Sequence, residues 1–214
     1  MTREEFCNRF WSYYIALEND FLTTQRYVAF NYGDNLEYDN QDHADKGNSE
    51  CYSIEFVKQY QAICSEIDVI LKSMCSEFCG DKTADNICKY AAAIIKNFPN
   101  IVNQKVEMNK LELQPFINWS ETNSPVWWKN YNDVKHNRLG NYRNANLKNV
   151  TYSLAALYIL ELYYVKIIGD RDGVEDVPND ISHIFSLLNF STREIVIGKN
   201  QYLITEQDID KMFE

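Results

Sequence analysis

Hydrophobic residues recur every three to four positions over several long stretches of the chain, a spacing typical of amphipathic helices. This pattern predicts helices over residues 3–30, 53–79, 84–98, 124–140 and 145–168. The last stretch is apolar almost all round, apart from Glu161. A helix that is apolar on every side is typical of a buried, central position. The sequence therefore predicts an all-α protein, mainly a helical bundle, with its last long helix at the centre.

Shorter segments between and after these helices show a different pattern. Alternation of apolar and polar residues over 105–116 and 193–204 predicts two small β-hairpins. Thr205 then caps a predicted short helix over residues 205–213. Residues 31–49 are rich in Asp, Asn and Gly and contain few groups to bury, so we expect a flexible polar loop there.

The size and the small number of turn residues bound the fold further. A chain of 214 residues can bury a sizeable core without disulfides or metals. With only 7 Gly and 4 Pro, the composition argues against an all-β protein of many tight turns. We therefore expect a single domain over residues 1–214, in which residues 170–214 form a C-terminal extension with the second hairpin and the short helix.

The cysteines and the start of the chain indicate a reducing compartment. The first residues lack the apolar run of a secretion signal, so we expect a cytoplasmic protein with six reduced thiols. The pair Cys75 and Cys79 has the wrong spacing for a zinc site, and no His lies near, so neither a metal nor a cofactor is predicted. No apolar stretch reaches the roughly 18–20 residues that cross a bilayer, so no membrane partner is expected.

Positive charge is concentrated in one segment of an acidic chain. The formal net charge is −10, which disfavours broad non-specific binding to nucleic acid or anionic membrane. Residues 126–150, in contrast, contain five cations and a single acid, Asp133, for a net charge of +4. The cations are Lys129, Lys135, Arg138, Arg143 and Lys148. This concentration suits a phosphate-bearing ligand.

Helical geometry places the polar groups of this segment on one side. At 100° per residue, one face carries Lys129, Asn132, Asp133 and His136, and the opposite face carries Trp127, Tyr131, Val134 and Arg138. His136 is the candidate acid or base, because an imidazole exchanges protons near neutral pH. The alternative is that His136 and Arg138 cap free carbonyl groups at the end of the helix.

Three other polar residues have two readings each. Glu66 and Asp68 lie at the edges of the apolar stripe of their helix. One interpretation is that both are solvated carboxylates. The other is that one of them orients a basic group on a neighbouring helix. His183 lies among ordinary amphipathic residues and is interpreted as structural or solvated.

The layout of residues 3–168 resembles the HEPN superfamily of helical-bundle proteins. Two long helices and a shorter one precede a polar motif with a His, and a long apolar helix follows. The family motif is an Arg, often followed by Asn, and then a His after four to six residues. Here Lys129 and Asn130 take the place of the Arg-Asn pair, and His136 takes the place of the His. The resemblance implies a homodimeric, metal-independent endoribonuclease of a defence or toxin–antitoxin system.

Two functions remain open for such a chain. In a ribonuclease, His136 is the acid or base, Lys129 or Arg138 stabilises the phosphate charge, and Asn132 holds the substrate or the imidazole. Further RNA- or phosphate-binding residues would be Lys135 and Arg143, with Trp128 and Tyr142 stacking on unpaired bases. The alternative is a non-catalytic module of the same fold that binds a nucleotide or a partner protein.

Overall fold

The computed structural model describes residues 1–33, 47–187, 190–197 and 200–207, the last two ranges as backbone alone. The helices are α1 (Arg3–Phe6), α2 (Ser12–Thr23), α3 (Ile54–Glu77), α4 (Ile87–Asn97), α5 (Val126–His136), α6 (Arg138–Asn141) and α7 (Leu147–Asp172). The strands are β1 (Val106–Met108), β2 (Leu111–Leu113), β3 (Ser186–Leu187), β4 (Phe190–Ile197) and β5 (Asn200–Gln207). The predicted fold class, mainly helical with small β elements, is confirmed.

Helix α7 is the centre of the bundle, as predicted. Residues 149–166 are all buried, and α3 packs along them with its apolar stripe. The side chain of Asn146 caps the first turn by accepting a bond from the amide of Asn149. The helix ends at Gly173, whose φ of 65° is the left-handed conformation that glycine adopts at little cost. Helix α7 therefore runs four residues beyond the predicted end.

By length and composition, α7 also passes the test for a membrane-spanning helix. The prediction that no apolar stretch would be long enough is therefore wrong for this segment. Within the protein, 94% of the qualifying window is buried. The apolar character of α7 is accounted for by its place among the other helices.

The first predicted helix is shorter than its aromatic pattern indicates. Helices α1 and α2 continue into each other through a wider π-helical turn over Cys7–Trp11, and a 3₁₀ turn over Thr24–Arg26 ends them. The predicted helix to residue 30 is therefore too long. Phe30 still packs on Phe21, with ring centroids 4.6 Å apart, but it does so from a non-helical segment. The aromatic pattern continues to Phe30 because this non-helical segment packs against the same core as the helix.

Side-chain caps set where α3 and α4 begin. The hydroxyl of Ser53 accepts a bond from the amide of Phe56, so α3 begins where the sequence predicted. Asn86 caps the amides of Cys88 and Lys89, and α4 therefore begins three residues later than the predicted Ala84.

The first predicted hairpin is confirmed. Strands β1 and β2 pair across Asn109 and Lys110, which both have positive φ, as a tight two-residue turn requires. Val106 and Met108 are buried on one side. Strand β3 pairs with the other edge of β1, so the C-terminal extension supplies the third strand of this sheet, in the order β2-β1-β3.

The second predicted hairpin is also present, with a longer ladder than expected. Strands β4 and β5 pair from Ile197 and Asn200 to Phe190 and Gln207. Thr205 lies in this ladder opposite Thr192, so the predicted helix cap at Thr205 is wrong over residues 205–207. Residues 208–214, the remainder of that predicted helix, lie outside the described residues.

Most of the predicted polar loop, residues 34–46, also lies outside the described residues. Its two flanks are tied together, because the amide of Asn48 donates to the carbonyl of Asn31 at 2.6 Å. The side-chain amide of Asn48 donates to the carbonyl of Ala29 at 3.0 Å.

Candidate functional site

Helix α5 carries the candidate site, and both of its ends differ from the prediction. The N-cap is Pro125, one residue after the predicted Ser124, and it makes no side-chain capping bond. The helix ends at His136, because Asn137 leaves the helical conformation with φ −142° and ψ 68°. The side chain of Asn137 accepts a hydrogen bond from the amide of Gly140 and thereby caps the short helix α6. The predicted continuous helix to residue 140 is therefore wrong.

The inner face of α5 is anchored in the core. Trp127, Tyr131 and Val134 are buried, as the helical pattern predicted. The indole N–H of Trp127 donates a hydrogen bond to the carbonyl of Pro115 at 2.7 Å. The backbone carbonyl of Trp127 accepts a hydrogen bond from the hydroxyl of Tyr60. Arg138, predicted on the same face, is exposed in α6 because α5 has already ended.

The outer face of α5 presents the predicted polar groups without bringing them into contact. Lys129 and His136 are exposed, and Asn132 is half-buried between them. Seven residues separate Lys129 from His136, or about 10.5 Å along the helix axis. The ammonium of Lys129 donates to Oδ1 of Asn123 at 3.0 Å. Within the part of the chain that the structure describes, the side chains of Asn132 and His136 make no hydrogen bond.

The cations around the outer face of α5 contact aromatic rings or solvent. Lys135 lies 5.6 Å from the ring centroid of Tyr131, and Arg143 lies 5.8 Å from that of Tyr52. Arg138 projects from α6 and is exposed. Across the described ranges, no ion pair links Lys129, Lys135, Arg138 or Arg143 to an acid. Their positive potential is therefore not cancelled locally and extends into solvent.

The two predicted stacking residues are both engaged with protein groups. Trp128 is only 6% exposed, and its ring packs against Tyr131 at 5.3 Å and Trp127 at 5.7 Å. It has no free face for an RNA base, contrary to the prediction. Tyr142 is half-buried, with its ring edge-on to Tyr52 at 5.5 Å.

Part of the asparagine-rich composition of the segment is structural. The side-chain amide of Asn130 donates to Oδ1 of Asn149 at 3.2 Å, which joins α5 to α7. Asn149 in turn donates to the carbonyl of Asn144 at 2.8 Å. The residue at the second position of the family motif, Asn130, thus holds two helices together.

The two edge carboxylates of α3 have different roles. Asp68 accepts a bond from the hydroxyl of Tyr90 on α4 at 2.8 Å and pairs with Lys72 on its own helix at 2.7 Å. Asp68 thus contacts a phenol on the neighbouring helix, and not the basic group that the second interpretation predicted. Glu66 lies near the buried Glu161, and partial burial raises the pKa of Glu66.

A buried polar cluster far from α5 was missed at the sequence level. The carboxylate of Glu18 is fully buried and accepts bonds from the hydroxyls of Tyr14 and Ser182 and from the amide of His183. Nδ1 of His183 lies 3.2 Å from the same carboxylate. Burial, and secondly the charge of Glu18, raise the pKa of Tyr14. No local pattern in the sequence predicts this cluster, since Ser182 and His183 lie 164 and 165 residues after Glu18.

The cysteines have the character of core residues. All six are free thiols. Burial raises the pKa of Cys75 to about 12 and that of Cys79 to about 11, which suppresses the nucleophilic thiolate. In the portion of the chain that the structure describes, no group of three or more His, Cys, Asp or Glu residues could hold a metal ion.

No protein-family model, curated protein or solved structure matches this chain.

Proposed function

We propose that this protein is a HEPN-like, metal-independent endoribonuclease that acts at the outer face of α5. The observation that carries the proposal is the exposure of His136 in a segment of net charge +4. Among the residues that the structure describes, four cations of this segment form no ion pair with an acid: Lys129, Lys135, Arg138 and Arg143. An exposed imidazole beside these cations can reach a polyanionic backbone, and an imidazole is a common general acid or base in proteins.

The chemistry uses the imidazole of His136 from each of two copies and the nearby guanidinium of Arg138. A ring nitrogen of His136 takes the proton from an RNA 2′-hydroxyl, whose oxygen forms a bond to the adjacent phosphorus. The bond from phosphorus to the 5′-oxygen breaks, and that oxygen leaves with a proton. In the homodimer that the family resemblance implies, His136 of a second copy supplies the proton, so that each imidazole performs one proton transfer.

The spacing along the helix assigns different phosphates to the cations. Arg138, two residues after His136, stabilises the charge on the reacting phosphate. Lys129 lies about 10.5 Å from His136 along the axis and therefore contacts a different phosphate of the strand. Lys135 and Arg143 extend the positive surface, and Asn132 hydrogen-bonds the substrate between the two ends.

Cleavage of RNA in the presence of EDTA tests the proposal. We expect His136→Ala to lower the cleavage rate by about 100-fold or more, because a general acid or base contributes on that order. Arg138→Ala should also slow cleavage. The matched control is Arg26→Ala, which removes an exposed arginine outside the segment and should leave the rate unchanged. Equal rates for the wild-type and His136→Ala proteins, or no cleavage by either, would contradict the proposal.

A non-catalytic module that binds a nucleotide is the second candidate. Lys129 favours it, because this residue bonds to Asn123 at the end of α5 away from His136. A lysine also lacks the planar fork with which an arginine grips phosphate. Nucleotide binding without turnover, or a partner protein that co-purifies, would favour this function. In either case we propose a cytoplasmic role in a defence or toxin–antitoxin system.

A further inference from the structure

A cavity of about 250 Å³ lies beside the beginning of α5, at the opposite end of this helix from His136. Its walls come from the end of β2, from the segment that follows this strand, from the first turns of α5 and from Tyr152 of α7. The side chain of Lys129 lies on this cavity. The cavity is thus separate from the imidazole but shares one cation with the motif.

The charge of the cavity is positive. Lys129 is exposed, and the bond that it makes is to a neutral amide oxygen, Oδ1 of Asn123. A second lysine, Lys105, is paired with Glu112 at 3.0 Å, and both line the cavity. Two cations and one carboxylate leave a net charge of +1 in the lining. The ammonium of Lys129 is therefore the group that an anion would meet without displacing an existing ion pair.

The remaining lining combines hydrogen-bonding and apolar groups. Gln114 and Asn118 supply carboxamides beside Lys129. Leu113 and Tyr152 are buried, and Ile117 is 47% exposed at the same site. A cavity with one uncompensated cation, several amides and an apolar wall fits a small organic anion better than a bare ion. A phosphate would meet the ammonium and the amides, and a ring would cover the apolar side chains.

We propose that this cavity binds the phosphate monoester of a nucleotide, with Lys129 as the phosphate-binding residue. The site is independent of RNA cleavage, because its lining excludes His136 and lies about two helical turns away from it. The same chemistry is offered by a free mononucleotide and by the 5′-phosphorylated end of an RNA strand.

Calorimetric titration tests the proposal with adenosine 5′-monophosphate, a 5′-phosphorylated trinucleotide and adenosine. We expect at least one phosphorylated probe to bind, and adenosine to bind at least tenfold more weakly. Lys129→Gln should lower the affinity for each probe that binds by tenfold or more. Lys82→Gln is the matched control, since it removes an exposed lysine that lies outside the cavity lining and outside residues 126–150. This control should change the affinity of every bound probe by less than twofold, and His136→Ala should do so for adenosine 5′-monophosphate.

The probes and variants separate the outcomes. Binding of the mononucleotide identifies a free nucleotide as the ligand, and binding of the trinucleotide alone identifies an RNA end. Binding of neither phosphorylated probe, or an equal loss in Lys129→Gln and Lys82→Gln, would overturn the proposal. A loss of adenosine 5′-monophosphate binding in His136→Ala would overturn it too, because the ligand would then lie at the imidazole. Absence of RNA cleavage, in contrast, leaves this site unaffected.

Discussion

A single residue of the central helix illustrates how burial changes an ionisable group. Glu161 is fully buried in α7, and in the part of the chain that the structure describes neither carboxylate oxygen has a hydrogen-bond partner. Burial, and secondly the charge of the nearby Glu66, raise the pKa of Glu161 well above its usual range. The carboxyl therefore keeps its proton to a higher pH in the folded protein than in the unfolded chain.

Glu161 should make the protein less stable as the pH rises. Above the unfolded pKa of 4.5, the unfolded chain releases a proton that the folded protein retains. The free energy of unfolding then falls by up to about 1.4 kcal/mol per pH unit until the folded pKa is reached. Glu161→Gln cannot ionise, so its stability relative to wild type should increase from pH 5 to pH 7.

Urea unfolding at pH 5, 6 and 7 measures this difference. Glu121→Gln, at an exposed position, is the control for the chemical change from carboxyl to amide. A difference between Glu161→Gln and wild type that stays constant over this range would show that Glu161 does not titrate as argued.

At the scale of single elements, side-chain caps set where the long helices begin. Ser53, Asn86 and Asn146 each accept a bond from a backbone amide in the first turn of α3, α4 and α7. Helix α5 has no such cap, and its position depends on buried aromatic residues. The free energy that holds α5 in place therefore comes from packing, and this leaves its polar outer face free for ligands.

The cap of α3 can be tested with two identical substitutions in the same helix. Ser53→Ala should lower the free energy of unfolding by about 1 kcal/mol, because the amide of Phe56 loses its partner. Ser65→Ala removes an exposed hydroxyl within α3 and should leave stability unchanged or slightly higher, since alanine favours helix. Chemical denaturation measures the free energy of unfolding of both variants. Equal losses of stability in Ser53→Ala and Ser65→Ala would rule out a specific contribution of the cap.

At the scale of the whole molecule, the C-terminal extension is fastened to the helical bundle at several points. The guanidinium of Arg3 donates two bonds to the carbonyl of Val177, at 2.7 and 3.1 Å. The carboxylate of Glu18 holds Ser182 and His183. Strand β3 then pairs with β1. These contacts make the segment from residue 177 to residue 187 part of the same folded unit as α1 and α2.

Removal of the buried carboxylate should release this segment. In Glu18→Ala, the amide of His183 and the hydroxyls of Tyr14 and Ser182 lose a charged acceptor, and we expect a loss of about 2 kcal/mol in stability. Hydrogen exchange should become faster at residues 183–187. Asp20→Ala, an exposed position of the same helix, is the control and should leave that exchange unchanged. Unchanged exchange at His183 in Glu18→Ala would contradict the assigned role.

Local patterns were sufficient for the positions of α3 and α7 and for the first hairpin. The apolar stripe of α3 and the uniform apolar character of α7 follow directly from which positions face the core, and Ser53 marks a helix start through contacts within one turn. The positive charge of residues 126–150 and the exposure of Lys129 and His136 on one side of α5 are likewise consequences of helical spacing.

Contacts between distant segments decided what the sequence could not. Trp128 lies off the apolar stripe of α5, and it is nevertheless buried in the folded protein. Glu18 gains Ser182 and His183 as partners from a segment 164 and 165 residues away. Lys129 is separated from His136 by the length of α5 and adjoins a cavity whose walls come from β2 and α7. Periodicity reports which face of an element is buried, whereas only the tertiary structure brings the groups of separate elements together.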